Sequence, residues 1–262
     1  AACNPDAGLY VRMNLREKTA EEIIALLEAD GCRAEQVPEL KEALRLSEVG
    51  ELTELSAFKK GLITVQDLSS MFVGKAAAEF TEPDKVRQIL DVCAAPGGKS
   101  LHLAETFPDA FVCARDLSEA KVKLIEENIK RSGAKNIQAE TFDALVLDEP
   151  RKGKMDIVLA DLPCSGLGVI GRKADIKLRL SEGDLTELAE LQRQILEVVN
   201  QYVKPGGILI YSTCTVNRKE NRENAVWFEK NYPFEKLYER QFLPGQDECD
   251  GFYLTVFQKM NG

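Results

Sequence analysis

Two cysteines stand where apolar segments of the sequence give way to loops, and both could do nucleophilic chemistry. Cys164 lies in DIVLADLPCSG, residues 156–166, and Cys214 ends the segment ILIYSTC fifty residues further on. A thiolate is intrinsically nucleophilic, and a loop at a strand end can lower the pKa of a thiol. One isolated cysteine is more often a small buried hydrophobe, but two in equivalent settings favour a chemical role.

A glycine-containing loop lies ahead of both cysteines. The segment LDVCAAPGGKS, residues 90–100, places Gly97 and Gly98 between a predicted strand and a predicted helix. Glycines there let the backbone approach a ligand while helix N–H groups point at it. The loop is not a P-loop, because that pattern requires a glycine where this chain has Cys93, and the G-x-G-x-x-G pattern is also absent.

Three aspartates follow the predicted strands beyond that loop, and they are Asp116, Asp143 and Asp161. The carboxyl ends of adjacent strands in a doubly wound sheet converge on one crevice. We therefore expect Asp116 to contact the ribose hydroxyls of a bound nucleoside and Asp143 to contact its base. Asp161 lies beside the cysteines in the same crevice.

The elements that must position these residues alternate along the chain. From about Gly61 onward, short apolar runs alternate with amphipathic stretches, which predicts βαβ units and a mostly parallel sheet. The final segment DGFYLTVFQKM alternates in period two and can pair antiparallel with PFEKLYE. The first sixty residues contain one short predicted strand and one predicted helix, so we predict a small α/β subdomain over residues 1–60 and a larger α/β domain over 61–262.

Composition and charge exclude several classes of protein. With 262 residues and 44% hydrophobic content, the chain is long enough for a large core. It has no run of roughly 18 apolar residues and no signal peptide, so we expect a cytoplasmic location. Seven cysteines without a C-x-x-C pair and a single histidine disfavour zinc and disulfides. Because the net charge is −9, any positively charged surface that binds nucleic acid must be confined to a part of the protein.

Four motifs together resemble a known family. The segments DVCAAPGGKS, DLPCSGLGVIGRKADIK, YSTCTVNRKEN and QDLSSMF are similar to those of the Sun-type RNA cytosine-5 methyltransferases, in particular the RsmB branch that methylates small-subunit ribosomal RNA. The likeness runs from about Leu9 to Lys259. It is specific, because the Pro-Cys and Thr-Cys pairs occur in the family's order behind the glycine loop.

The resemblance implies a Rossmann-like class I methyltransferase fold for residues 61–262, which would form the catalytic domain, and a subdomain similar to an RNA-recognition motif over residues 1–60. It also implies S-adenosylmethionine as cofactor and RNA as substrate. It makes Cys214 the nucleophile and assigns Cys164 to product release, with Asp161 and Lys99 as further catalytic residues. The implied cofactor-binding residues are Cys93, Ala94, Ala95, Pro96, Gly97, Gly98, Lys99, Asp116, Asp143 and Asp161.

The implied chemistry is sound by itself. Cytosine C5 is too poor a nucleophile to take a methyl group until a thiolate adds at C6 and makes C5 an enamine carbon. Asp161 can hold N3 and favour that addition, and Lys99 can balance the charge of Asp161. After methylation a base must remove the C5 proton, and the bond to Cys214 must break by elimination.

Basic residues cluster just past Cys164, where Arg172, Lys173 and Lys177 are candidates for contacts with RNA phosphates. A solvated loop is the alternative for this cluster. The family's additional N-terminal helical RNA-binding domain is missing from this sequence, and Ala174 stands where the family commonly has proline. We expect a monomer that binds RNA and needs neither a metal nor a membrane.

Four other functions compete with this one. A DNA cytosine-5 methyltransferase would use the Pro-Cys cysteine as nucleophile and would need no Thr-Cys partner. An amino-methyltransferase would carry an Asn/Asp-Pro-Pro-aromatic loop instead of Asp-Leu-Pro-Cys. A noncatalytic RNA-binding module would not need to keep both cysteines, and an NAD-dependent dehydrogenase would carry the dinucleotide pattern.

Overall fold

The computed structural model describes residues 9–172 and 181–261, in which two β-sheets organise the chain. The strands are β1 (Leu9–Met13), β2 (Arg33–Val37), β3 (Leu40–Ser47), β4 (Ile63–Val65), β5 (Gln88–Asp91), β6 (Phe111–Asp116), β7 (Ile137–Thr141), β8 (Met155–Asp161), β9 (Val203–Thr213), β10 (Phe234–Phe242) and β11 (Phe252–Lys259). The helices are α1 (Ala20–Ala29), α2 (Ser56–Lys59), α3 (Leu68–Glu79), α4 (Gly98–Thr106), α5 (Glu119–Ser132), α6 (Glu182–Val199) and α7 (Arg222–Asn231).

The larger sheet has the order β10-β11-β9-β8-β5-β6-β7. Strands β5 to β9 pair in parallel, whereas β11 runs antiparallel to both β9 and β10. This confirms the predicted mostly parallel sheet with an antiparallel C-terminal strand. The chain leaves β5 toward β6 and β7 and then returns to β8 on the other side, so the strand order reverses at β5 and β8. Ligands of open α/β sheets bind at such a reversal.

The strands at this reversal are buried on both faces. Six of the seven residues of β8 are buried, and so are the last three residues of β5. Helices cover both faces of a parallel sheet, which explains why its strands read as continuous apolar runs in the sequence. The intermediate exposure of Asp161, the last residue of β8, marks the point where that strand leaves the core.

The smaller sheet has the order β2-β3-β1-β4 and takes its fourth strand from Ile63–Val65, beyond the boundary predicted at residue 60. One of its faces packs on α1 and α2 around Val11 and Leu44. The other face places Tyr10 and Ala43 in the core of the large sheet. The two sheets therefore share packed side chains. A division of the chain into two domains at residue 60 stays a prediction.

A buried arginine joins the small sheet to the start of α4. Arg12 of β1 is 1% exposed and forms an ion pair with Glu105, with an Nη2–Oε1 distance of 2.9 Å. Its Nη1 also donates to the carbonyl oxygen of Gly98 at 3.0 Å. The small sheet therefore touches the helix that begins in the glycine loop.

Candidate active site

The glycine loop turns sharply between β5 and α4. Gly97 has a φ of +104°, in the left-handed region that favours glycine, and its N–H donates to the carbonyl oxygen of Ala94 at 2.7 Å. A side chain there would place Cβ 3.2 Å from a methyl group of Ile125. The turn thus needs glycine at this position, and α4 begins at the next residue.

Asp116, predicted to contact ribose, holds the glycine loop against the end of β6. Its carboxylate accepts the N–H of Ala95 at 3.0 Å and the N–H of Leu117 at 2.8 Å. Lys121 forms an ion pair with it at 3.1 Å. A carboxylate offers about four lone-pair sites, so the side chain retains accepting capacity for a hydroxyl.

Asp143 lies at the same edge of the sheet as Asp116. The N–H of Phe142 donates to the backbone carbonyl oxygen of Asp116 at 3.0 Å, which ties the residue before Asp143 to the end of β6. The carboxylate of Asp143 is half-buried and accepts the N–H of Leu145 at 2.9 Å. The predicted pairing of Asp116 and Asp143 around one ligand stays a prediction.

Asp91 ends β5 beneath the loop and is 1% exposed. Burial raises its pKa to about 7, although the Ser100 hydroxyl, which donates to it at 2.5 Å, works in the opposite direction. The nearby Asp161 carboxylate adds to the increase. Asp91 is therefore a carboxyl group whose proton the fold retains.

Asp161 joins the glycine loop to the cysteine loops. One carboxylate oxygen accepts from Lys99 Nζ at 2.7 Å, and the other accepts from the Ser212 hydroxyl at 2.7 Å. Burial alone would lower the pKa of Lys99, but the Asp161 carboxylate outweighs that effect and the pKa is raised. The predicted charge balance between Lys99 and Asp161 is thus present as a direct ion pair.

Cys164 and Cys214 are in direct contact, with their sulfur atoms 3.2 Å apart. A hydrogen bond from the Cys164 thiol lowers the pKa of Cys214, against burial and the Asp161 carboxylate, and Lys99 lowers it further. The same hydrogen bond, together with burial, raises the pKa of Cys164. Of the two thiols, Cys214 is therefore the more acidic and the more readily ionised.

The other thiols near the sheet behave differently. Burial raises the pKa of Cys113 and of Cys249 to about 12. Burial also raises the pKa of Cys93, with the nearby aspartates adding to the effect. The pKa of each of these three thiols is thus raised, whereas that of Cys214 is lowered.

Arg172, predicted to contact phosphate, is held by two carboxylates. It forms ion pairs with Asp67 at 2.8 Å and Asp250 at 3.2 Å, and its side chain is 50% exposed. Lys173 and Lys177 lie outside the described residues. An RNA contact by this cluster stays a prediction, and for Arg172 it requires exchange of carboxylate partners for phosphate.

Sequence reasoning missed two polar residues beneath the cysteine loops. Ser212 belongs to the apolar segment ILIYSTC, in which a serine is unremarkable, yet it contacts Asp161. Glu220 belongs to the charged run NRKEN, which reads as a solvated surface, yet it is 0% exposed. Two signals could have drawn attention to Glu220: its place in the segment YSTCTVNRKEN and its being a carboxylate in an otherwise basic stretch.

Residues 9–172 and 181–261 contain neither a candidate metal site nor a candidate membrane-spanning helix. These ranges contain no group of three or more His, Cys, Asp or Glu side chains placed to hold a metal ion. They also contain no helix with the length and apolar character needed to cross a membrane.

Comparison with known proteins gives relatives along almost the whole chain. A family model described as 16S rRNA methyltransferase RsmB/F matches residues 78–258. The ribosomal RNA small subunit methyltransferase B of Salmonella paratyphi B is 36% identical over 266 residues, which cover 98% of this chain and 61% of the relative. The chain thus spans about three fifths of the length of this curated relative.

Solved structures share the fold. A methyltransferase homolog protein from Pyrococcus horikoshii has a TM-score of 0.85 at 27% identity, covering 98% of this chain and 88% of its own. NSun6 from the same organism, solved with SFG, has a TM-score of 0.86 at 22% identity and covers 98% and 91%. These likenesses confirm the predicted Rossmann-like methyltransferase fold.

Proposed function

Because this chain belongs to the RsmB/F family of 16S rRNA methyltransferases, we propose that it transfers a methyl group from S-adenosylmethionine to C5 of a cytosine in RNA. The proposed substrate is 16S ribosomal RNA, and the proposed route is a covalent adduct between Cys214 and C6. The observation that carries the proposal is the 3.2 Å contact between the two sulfur atoms, because a hydrogen bond from Cys164 lowers the pKa of Cys214 and favours its thiolate.

The residues around the glycine loop suit S-adenosylmethionine, which supplies an electrophilic methyl group when bound. The positive φ of Gly97 brings backbone rather than a side chain to the crevice. Asp116 keeps accepting capacity for ribose hydroxyls, and the half-buried carboxylate of Asp161 lies at the end of strand β8, beside β5. The proposed binding set is the one predicted from the sequence, from Cys93 to Lys99 with Asp116, Asp143 and Asp161.

The first covalent step is addition of the Cys214 thiolate to C6 of cytosine. Electron density then moves toward N3, and the Lys99–Asp161 pair holds a proton that can be delivered there. C5 becomes an enamine carbon and takes the methyl group. A base removes the C5 proton, the electrons of that C–H bond expel Cys214 from C6 as a thiolate, and N3 returns its proton to the Lys99–Asp161 pair.

The second cysteine acts when the Cys214–C6 bond breaks. Its thiol donates to the Cys214 sulfur, so it stabilises the thiolate that leaves. Without this donor the departing thiolate loses its hydrogen bond, so we expect elimination to slow and the covalent adduct to last longer. This assigns attack to Cys214 and release to Cys164.

Separate substitution of the two cysteines tests the proposal. With RNA and cofactor present, Cys214→Ala should form neither methylated RNA nor a covalent complex. Cys164→Ala should accumulate a denaturant-resistant protein–RNA adduct, visible as a shifted band on a gel. Cys113→Ala, which removes a protonated thiol on β6 at a distance from this chemistry, is the matched control and should resemble the parent protein.

Two outcomes would overturn the mechanism. Accumulation of the adduct with Cys214→Ala would make Cys164 the nucleophile, as in the DNA cytosine-5 methyltransferases. Undiminished methylation by both variants would remove the covalent step altogether. Mapping 5-methylcytosine in ribosomal RNA from cells with and without the gene tests the substrate separately.

A further inference from the structure

A fully buried carboxylate lies between the two cysteine loops. Glu220 is 0% exposed and accepts four hydrogen bonds. Ser165 supplies two of them, from its backbone N–H at 2.8 Å and from its hydroxyl at 2.6 Å. Gln192 Nε2 donates at 3.0 Å, and Asn217 Nδ2 donates at 2.9 Å. All the lone-pair sites of this carboxylate are thus occupied by donors from three separate segments.

These bonds connect Glu220 to both loops. Ser165 directly follows Cys164, and its hydroxyl is also 2.8 Å from the hydroxyl of Thr215, the residue after Cys214. Gln192 of α6 donates from the same Nε2 to the carbonyl oxygen of Pro163 at 2.8 Å. The residues on each side of Cys164, and the residue after Cys214, are therefore held by one buried network.

We propose that Glu220 is a positioning residue that sets the separation of the Cys164 and Cys214 sulfur atoms. Its importance for methyl transfer rests on the function proposed above, but its effect on the thiols does not. A charge at this depth is costly to desolvate, and a network that satisfies it fixes one geometry of the surrounding loops. An amide in its place would turn an NH2 group toward a donor and open the network.

The pKa of Cys214 depends on this separation of the two sulfur atoms. The largest influence on the pKa of Cys214 is the hydrogen bond from Cys164, which lowers it. Lys99 also lowers that pKa, while burial and Asp161 raise it. Lys99 and Asp161 bond each other on the opposite side of the site. Release of the Cys164 loop from Glu220 should therefore weaken the sulfur–sulfur contact and raise the pKa of Cys214.

The experiment measures alkylation of Cys214 by iodoacetamide as a function of pH, resolved by peptide mass spectrometry, in the whole chain without RNA or cofactor. In Glu220→Gln the midpoint should move up by about one pH unit, which is roughly a tenfold fall in alkylation rate at neutral pH. Ser165→Ala keeps the carboxylate and its backbone donor but loses the hydroxyl link to Thr215. Its midpoint should move in the same direction by less.

A matched control separates positioning from general destabilisation. Val199→Ala creates a cavity in the core on α6, the helix that carries Gln192, without touching either loop. It should lower stability to urea and leave the pH midpoint of Cys214 unchanged. A shift in this control as large as that in Glu220→Gln would overturn the proposal.

The remaining outcomes are also decisive. An unchanged midpoint in folded Glu220→Gln would overturn the positioning role, and if that variant does not fold, an unchanged midpoint in Ser165→Ala would do so. If the midpoint shifts in Glu220→Gln but the unsubstituted protein does not methylate RNA, the positioning role of Glu220 is supported and the proposed function is wrong.

Discussion

The two halves of the crevice are held together in different ways. In the cofactor half, formed by the loops after β5, β6 and β7, the Asp116 carboxylate accepts backbone N–H groups of Ala95 and Leu117. In the thiol half, formed by the loops after β8 and β9, side chains bond mainly to other side chains. The Ser165 hydroxyl, for example, donates to the Glu220 carboxylate, 55 residues away in sequence.

This difference separates a local motif from a long-range network. The cofactor half depends on a glycine turn whose conformation is encoded within a few residues, so it tolerates changes elsewhere. The thiol half depends on partners from β8, α6 and the segment before α7, so one substitution disturbs several groups. The two halves should therefore respond differently to mutation.

The largest effect is expected where the halves meet. Asp161→Asn removes the carboxylate that bonds both Lys99 and Ser212, and with it the proton delivery proposed for N3. Methyl transfer at saturating cofactor should fall by about 10² to 10⁴, the usual contribution of general acid–base catalysis. Single-turnover assays measure it. Ser212→Ala keeps the ion pair between Lys99 and Asp161, so its methyl-transfer rate should fall less. An equal fall in both variants would show that the rate depends on the geometry of the loops and not on proton delivery.

The next effect is a dependence of stability on pH in the cofactor half. The folded-state pKa of Asp91 is about 7, above its ordinary value of 3.8. Between these values only the folded chain holds the proton, so the stability that this group contributes at low pH is lost as pH rises. Relative to Asp91→Asn, the parent should lose up to about 1.4 kcal/mol of unfolding free energy per pH unit.

Urea titrations of the parent and Asp91→Asn at several pH values provide this measurement. Subtraction of the two curves removes the contributions of all other titrating groups. The difference should level off above pH 7, where the folded carboxyl group is also ionised. Parallel curves from about pH 4 to 7 would show that burial does not hold the proton on Asp91.

A smaller effect is expected on cofactor affinity. Asp116→Ala should weaken S-adenosylmethionine binding roughly ten- to hundredfold, since hydrogen bonds to a charged group contribute about 1.5–3 kcal/mol. Calorimetric titration measures this affinity. Asp116→Asn, which keeps the shape of the side chain but removes its charge, is the matched variant. If the halves are independent, the alkylation profile of Cys214 stays as in the parent. Unaltered cofactor affinity would remove the ribose assignment.

The smallest effect concerns RNA phosphates beside the thiol half. Arg172→Ala should reduce the salt dependence of RNA binding by about one contact, or about 0.7 to 0.9 in the log–log slope. Asp250→Asn removes one carboxylate that holds Arg172 and should strengthen RNA binding slightly. Binding isotherms at several salt concentrations test both. If neither variant changes the slope, Arg172 serves only to hold its loop.

The same contrast explains how far the sequence could predict the molecule. Alternation of apolar runs and helical periods predicts the parallel sheet, because helices bury both of its faces. The crevice rule brings Asp161 and the cysteines to one edge from strand ends alone. Burial of Glu220 was not predictable, because donors from two distant segments, those of Ser165 and Gln192, help to offset the cost of burying its charge. The fourth strand of the small sheet escaped prediction for a different reason, since three residues carry little periodicity.

The shared packing of the two sheets has a thermal consequence. Tyr10 and Ala43 of the small sheet lie in the same core as Ile89 and Leu159 of the large one. Neither sheet can melt without exposing apolar surface of the other, so the described parts of the chain form a single cooperative unit. Heating should give one calorimetric transition, and loss of the glycine loop's structure should coincide with it.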